Sequence, residues 1–474
     1  MSRVQAVYNE AILPEHKGNP LIEGLPPKVT ATKLLDAFSY YPDLDEHIRQ
    51  HPDPLVREEF TSRIKNLRQP FLDYVKCFRA IERAIKDGYS SKNPFSPTTA
   101  QYLHYLVDEK PDIAPCTGFF QPKADTITLV GESGVGKTSM LEQVLSYFPS
   151  VIEHDIYNSQ QMDLKEQVVW IKVDCPNNSS VRDLCEEVLE SLDLATGREK
   201  TKPAGTIGAL MRQIEQRIKS SFLGILVIDE MQRLEFKRTR GENNLLNFLH
   251  SLVNKLGVPL FFCANPPFND TLSKTLKAAR RAESGGFWTM EPLGKDSDDW
   301  EAFIGELWEL QWTNVYNELS DELKDKMYEL SLGNLDIAHR IYREAQRLVI
   351  GSGDERINST VLDLAYEVAC GLSSKTEEIR IRREELTLPR RSKVQSRDQE
   401  HADKKTSKPS IYGDITRPQH PEFEVKIREI LGAIDLSGRI SNPDLFQQAS
   451  DFEDPLNNLR NTDIVYDDPL SFLD

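Results

Sequence analysis

"ITLVGESGVGKTSMLEQVL", residues 127–145, decides the fold. An apolar run ends in a glycine-rich turn, and a helix-forming stretch follows. The turn matches G-x-x-x-x-G-K-[ST], with Gly131, Gly136, Lys137 and Thr138 at the signature positions and Ser133, Gly134 and Ser139 completing the set that faces phosphate. Glycines let the backbone wrap phosphates, and the exposed amides and the helix start supply positive potential. Lys137 reaches the terminal phosphates and the Thr138 hydroxyl suits Mg²⁺. The strand before and the helix after the turn are the context this motif requires. On its own it licenses a magnesium nucleotide site.

Further along, "GILVIDEMQ" is an apolar strand ending in Asp229 and Glu230. An acid at the end of a buried strand is costly unless a cation uses it. Asp229 therefore fits as the partner of Mg²⁺, and Glu230 as the base that polarises an attacking water; a cap for the following helix is the plainer role. The next strand, "VPLFFCAN", ends in Asn265, which either orients the attacking water or simply starts the turn before two prolines. "KTLKAARRAESGGFW" puts Arg280 and Arg281 at a helix end. Such arginines can be supplied in trans to a neighbouring subunit's phosphates, or can simply be solvated at a helix C-terminus.

Around these motifs the candidate strands "TITLV", "VVWIKVD", "LGILVID", "VPLFFCA" and "GFWTME" alternate with helical stretches. That pattern predicts an α/β domain with a parallel sheet covered by helices on both faces, and ligands at the carboxyl ends of its strands. It extends over about 101–292. Before it, residues 1–100 read as an extended, proline-rich arm that docks on something else, then helices with a break at Pro70. After it, residues 293–372 read as a small helical domain in which Trp308 and Trp312 belong to a packed core. Residues 373–474 are charged, with little apolar periodicity, and are expected to be largely disordered up to a terminal acidic stretch whose interleaved apolar residues suit a docking segment.

Composition narrows the class. With 474 residues the chain is long enough for two or three domains. It contains no apolar run of about 18 residues that could span a bilayer, and "MSRVQAVYNE" lacks the core of a signal peptide, so no membrane partner and a cytoplasmic location are expected. The six cysteines form no C-x-x-C pair and read as reduced, mostly buried thiols. His104, His154, His250 and His339 share no ligand spacing and read as core or surface residues. A net charge of −17 argues against indiscriminate coating of nucleic acid but leaves room for a local basic surface. Candidates for such a surface are Lys237, Arg238 and Arg240 after the acidic strand, and Asn178, Ser179 and Arg182 after the second strand; solvated loops are the alternative. With no base-reading module evident, any binding to double-stranded DNA is expected to tolerate sequence.

The P-loop, the Asp-Glu strand, the strand-end Asn, the paired Arg and the helical lid together resemble an AAA+ ATPase. The flanks narrow this. "RVQAVYNEA", "NPLIEGLPP", "GYSSKNP", "VDCPNNSSVRDLC", "LVIDEMQRL", "LLNFLHSLVNKLGVPLFFCANP", "ARRAESGGFW" and "LSLGNLDIAHRIYREAQ", in this order over roughly 1–370, are similar to the TnsC family of transposition regulators. The resemblance implies an ATPase using ATP and Mg²⁺ that forms a homo-oligomeric ring or filament on target DNA in the bacterial cytoplasm. It further implies a link from a target-selection protein or RNA-guided complex to a transposase, engaged through the C-terminal tail. In the lid, Asp336 stands near the place where many AAA+ proteins present an arginine, and Arg340 follows one turn later. The rival readings are a protein-threading motor, a scaffold in which nucleotide is structural, and a signalling ATPase. "CPNNSS" after the second strand, where threading motors carry an aromatic-apolar-glycine loop, disfavours the first, and Glu230 disfavours the second.

Overall fold

The structure is a computed structural model. It describes residues 2–104, 120–162, 164–176, 180–233, 249, 252–266, 268 and 283–372. Strand β1 (Arg3–Gln5) precedes helices α1 (Ala31–Phe38) and α2 (Leu72–Ser90). The P-loop joins β2 (Thr126–Gly131) to α3 (Lys137–Tyr147), followed by β3 (Val151–Glu153), β4 (Glu166–Val168) and β5 (Trp170–Asp174). Helices α4 (Val181–Ala195) and α5 (Ile207–Ser221) lead to β6 (Ile225–Asp229), β7 (Leu260–Ala264) and β8 (Gly286–Met290). Four helices close the described part: α6 (Asp298–Glu309), α7 (Asp321–Ser331), α8 (Leu335–Val349) and α9 (Ser359–Cys370).

The main sheet has five strands in the order β8-β2-β7-β6-β5, all parallel. Every residue of β2, β6 and β7 is buried, which is why they read as continuous apolar runs rather than alternating ones. The strand expected from "VVWIKVD" changes partner in mid-course. Glu166–Val168 pairs antiparallel with β3, and Trp170–Asp174 enters the main sheet beside β6. Between α3 and β4 the chain inserts a short hairpin whose tip, Asn158 (φ 47°) and Ser159 (φ 65°), has two left-handed residues in succession, as a tight hairpin turn demands.

The N-terminal arm docks on its own chain. Strand β1 lies parallel to β3, with Arg3 opposite Val151 and Gln5 opposite Glu153. Arg3 forms ion pairs with Glu153 (2.8 Å) and Glu166 (2.5 Å). The helical break expected at Pro70 lies between the 3₁₀ turn Thr61–Asn66 and α2. Helix α2 then buries Tyr74, Cys77, Phe78, Ile81 and Ile85 at helical spacing, and Phe78 stacks on Phe148 at 4.9 Å between centroids.

The last four helices each start on a Ser or Asn cap: Ser297, Ser320, Asn334 and Asn358 accept bonds from the first-turn amides. Trp300, Trp308 and Trp312 are all buried. The Tyr342 hydroxyl donates to the Trp308 carbonyl (2.7 Å), and Gln346 bonds the main chain of Leu310 and Trp312. The aromatic pair read as core is core. Among the described residues, Cys77, Cys175, Cys185, Cys263 and Cys370 are free and buried, whereas Cys116 lies outside them. No described helix is long and apolar enough to cross a membrane.

One buried ion pair joins residues before the P-loop to the lid. Both terminal guanidinium nitrogens of Arg57 donate to the Glu355 carboxylate, Nη2 at 2.7 Å, and Nη1 also reaches the Trp312 carbonyl. Glu355 further accepts the amides of Asn314 (2.7 Å) and Gly351 (2.8 Å). Burial raises the Glu355 pKa, but the Arg57 bonds and the two amides outweigh it and hold the carboxyl below its usual range. Breaking such a pair strands a buried charge, so Arg57→Ala or Glu355→Ala should cost about 3–5 kcal/mol in denaturant unfolding. Because the folded pKa is depressed, this contribution is complete above the unfolded carboxyl value and is lost as pH falls through the folded one. The gap between wild type and Glu355→Ala should therefore narrow in acid.

Candidate nucleotide-binding site

The loop between β2 and α3 is shaped by three glycines. Gly134 (φ 85°) and Gly136 (φ 97°) are left-handed, which side chains rarely tolerate. A Cβ on Gly131 would lie 2.5 Å from the Met290 carbonyl oxygen of the neighbouring strand. The turn delivers Lys137 and Thr138 to the start of α3.

The Lys137 ammonium is 8% exposed as a residue and donates to the carbonyls of Gly131 (2.7 Å) and Glu132 (2.6 Å) and to Asn265 Oδ1 (3.1 Å). Burial pulls its pKa down, against the opposing influence of Cys263, Asp229, Glu230 and Glu132. Thr138 Oγ1 donates to Asp229 Oδ2 at 3.2 Å. Asp229, at the end of β6, is buried; its Oδ1 accepts the Glu230 amide at 2.8 Å, and Lys172 Nζ stands 3.3 Å from its Oδ2. Although burial works the other way, bonding to Asp174 and the nearness of Asp229 lift the Lys172 pKa above its usual value. Burial, reinforced by Asp229, pushes the neighbouring Cys263 thiol well up, so it stays protonated.

Glu230 has φ 58°, a left-handed conformation costing of order 1–3 kcal/mol in a non-glycine residue. Its carboxylate accepts Gln232 Nε2 (2.8 Å) and pairs with Arg233 Nε (3.2 Å). Gln232 also accepts the Asn265 amide at 3.0 Å, tying the ends of β6 and β7 together. Ser133, Gly134, Gly136, Lys137, Thr138, Ser139, Glu230 and Asn265 share the wall of one cleft of about 360 Å³. A hydroxyl and a carboxylate 3.2 Å apart beside it form an oxygen donor pair within reach of a single small, hard cation.

The lid meets the loop backbone directly. Asn334 Nδ2 donates to the Ser133 carbonyl (2.8 Å), and the Asp336 amide to that of Gly134 (3.1 Å). Asp336 lines the cleft. Arg340 bonds the Ala369 carbonyl and lies 3.6 Å from Asp336.

Arg182 is not in the cleft wall. Its guanidinium holds the carbonyls of Gly205 (2.9 Å) and Ala204 (3.1 Å) and pairs with Glu186 (2.6 Å). Asn178, Ser179, Lys237, Arg238, Arg240, Arg280 and Arg281 lie outside the described residues. Sequence reasoning missed Lys172, Gln232 and Arg233. Their signals were present: Lys172 shares a strand face with Asp174, and Gln232 and Arg233 follow Glu230 by two and three positions. It also missed Arg68, Gln69, Tyr74, Phe303 and His339 on the cleft wall, to which no local motif points.

Residues 123–272 match a family model described as an AAA domain. A search of curated proteins gives no match. Among solved structures, the Walker-type ATPase PABY2304 of Pyrococcus abyssi is 16% identical with a TM-score of 0.36, over 73% of this chain and 86% of that one. Cdc6p from Pyrobaculum aerophilum is 10% identical with a TM-score of 0.41, over 69% and 71%. The Aeropyrum pernix ORC2 protein is 12% identical with a TM-score of 0.35, and the match spans 52% of this chain and 62% of ORC2. With the matched segment carrying the P-loop and four of the five parallel strands, the chain has the AAA+ P-loop fold.

Proposed function

We propose that this protein is an ATP-dependent, DNA-binding regulator of DNA transposition, which assembles on target DNA and links a target-selection protein or RNA-guided complex to a transposase. The observation that carries the hydrolytic part is the convergence of Lys137, Thr138, Glu230 and Asn265, from three strand ends, on the wall of one cleft, with Asp229 bonded to Thr138 beside it. The ordered run of motifs over roughly 1–370 supports the transposition part. In this reading the division is an arm with helices (1–100), a nucleotide-binding domain (101–292), a lid (293–372) and a tail that engages the transposase (373–474).

ATP is the substrate. Its phosphates replace the loop carbonyls and Asn265 as partners of the Lys137 ammonium. Thr138 and Asp229 would hold Mg²⁺, which supplies charge neutralisation of the phosphate oxygens. Glu230, steadied by Gln232 and Arg233, takes the proton from the attacking water, and the Asn265 amide orients that water. Arg280 or Arg281 reaches the site of a neighbouring subunit in a ring or filament, and Lys237, Arg238 and Arg240 meet DNA phosphates; Arg182 would have to exchange its present bonds to join them.

Glu230→Gln should lower turnover roughly 10²–10⁴-fold, the usual worth of a positioned base, while ATP stays bound and DNA-bound oligomers persist in sedimentation or electron microscopy. Unchanged turnover would remove Glu230 as the base and favour a scaffold. Replacing Lys237, Arg238 and Arg240 together should weaken DNA binding and reduce the slope of log affinity against log salt by about 2.7, from three lost phosphate contacts. An unaltered slope rules the cluster out.

A further inference from the structure

Beside the phosphate loop, charged side chains from two neighbouring strands meet on one face of the sheet. Strand β5 pairs in parallel with β6, and Asp174 stands opposite Asp229, so the two acids share a face. Lys172 precedes Asp174 by two positions and joins them there. Its ammonium lies 2.8 Å from Asp174 Oδ1 and 3.3 Å from Asp229 Oδ2. The settings of the two acids differ: the Asp229 side chain is 3% exposed and that of Asp174 is 56% exposed.

Both oxygens of Asp229 are engaged. Oδ1 accepts the Glu230 amide, and Oδ2 takes the Thr138 hydroxyl at 3.2 Å with the Lys172 ammonium close by. The buried carboxylate thus carries a counter-ion from its own chain. A dication held by Thr138 and Asp229 would use the same oxygen, and two cations at one carboxylate oxygen repel each other. Lys172 is able to yield, because the solvated Asp174 already accepts a bond from it.

We infer that Lys172 competes with the divalent cation for Asp229, and that Asp174 retains the ammonium when the cation binds. The inference rests on the reading of Thr138 and Asp229 as the holders of Mg²⁺ and deepens it, since a lysine outside both motifs then sets how strongly the metal is held. A dication alone has to displace the ammonium for the sake of two protein oxygens, whereas one that arrives on a triphosphate brings further ligands with it. Lys172 thereby favours metal-bound nucleotide over bare metal. It acts through Asp229 and is a positioning residue.

The test is equilibrium binding of a fluorescent, non-hydrolysable ATP analogue, mant-adenylyl imidodiphosphate, to the full-length protein in Mg²⁺ and in EDTA at equal ionic strength. The ratio of the two dissociation constants reads the contribution of the metal, and a loss of packing that weakens both leaves it intact. Lys172→Met should raise the ratio about tenfold, the order expected for removing one ammonium beside a partly buried dication, and Lys172→Arg should keep the wild-type value. Asp174→Asn should lower the ratio, because the ammonium then has Asp229 alone; as a change at an exposed side chain, it carries the test should Lys172→Met fail to fold. An unchanged or lower ratio in Lys172→Met overturns the proposal, since a lysine that merely orients Asp229 would aid the metal. So does an unchanged or higher ratio in Asp174→Asn. Wild type that binds the analogue equally with and without Mg²⁺ overturns the metal reading of Thr138 and Asp229, and wild type that does not bind it at all overturns the nucleotide site, each a result distinct from the first.

Discussion

One ammonium group holds the site in its present form. Lys137 Nζ has left bulk water, and three oxygens replace its hydration: two from the loop that precedes it and one from the end of β7. A buried cation tolerates this only when oxygens surround it. The loop must therefore curl so that the carbonyls of Gly131 and Glu132 face inward, and that curl needs the left-handed glycines at 134 and 136. Asn265 must arrive from β7, which fixes the register of the two strand ends. The same three bonds can be exchanged for phosphate oxygens at little electrostatic cost, since the cation never has to be rehydrated. In the proposed reading, ligand entry is a swap of partners around one charge.

The acidic side of the cleft is balanced in the same manner. Asp229 and Glu230 sit side by side, and a different cation stands by each: Lys172 from the neighbouring strand, shared with Asp174, by Asp229, and Arg233 from the following turn by Glu230. Two adjacent carboxylates at a strand end would repel each other; the cationic partners, and the Glu230 amide bonded back to Asp229, offset that repulsion. The left-handed backbone at Glu230 is the conformational cost of aiming successive side chains to different partners.

The three central strands were legible in the sequence because parallel strands buried on both faces leave continuous apolar runs; the two edge strands, Trp170–Asp174 and Gly286–Met290, bury alternate residues and were legible as shorter runs of aromatic and β-branched residues. The phosphate loop was legible because its chemistry needs residues at fixed local spacing. The rest of the cleft was not, because its walls come from far apart in the chain: Tyr74 precedes the P-loop by more than fifty positions and His339 follows it by about two hundred. Nothing local distinguishes His339 from a buried core histidine. The receiver of the N-terminal strand was not legible either: β3, whose edge pairs with Arg3–Gln5, is three residues long and gives no local signal of an unfilled neighbour.

That pairing has a mechanical side. Strand β1 runs parallel to β3, so tension applied along residues 2–6 loads their shared hydrogen bonds in shear, all at once, instead of peeling them one by one. Strand β3 begins four positions after α3 ends, and α3 starts on the lysine of the phosphate loop. Arg3 adds clamps to Glu153, Glu166 and the Ala195 carbonyl at the end of α4. A tug on the arm is consequently carried as a stiff linkage to the helix that bears the loop, while the same tug on a free coil would dissipate in slack.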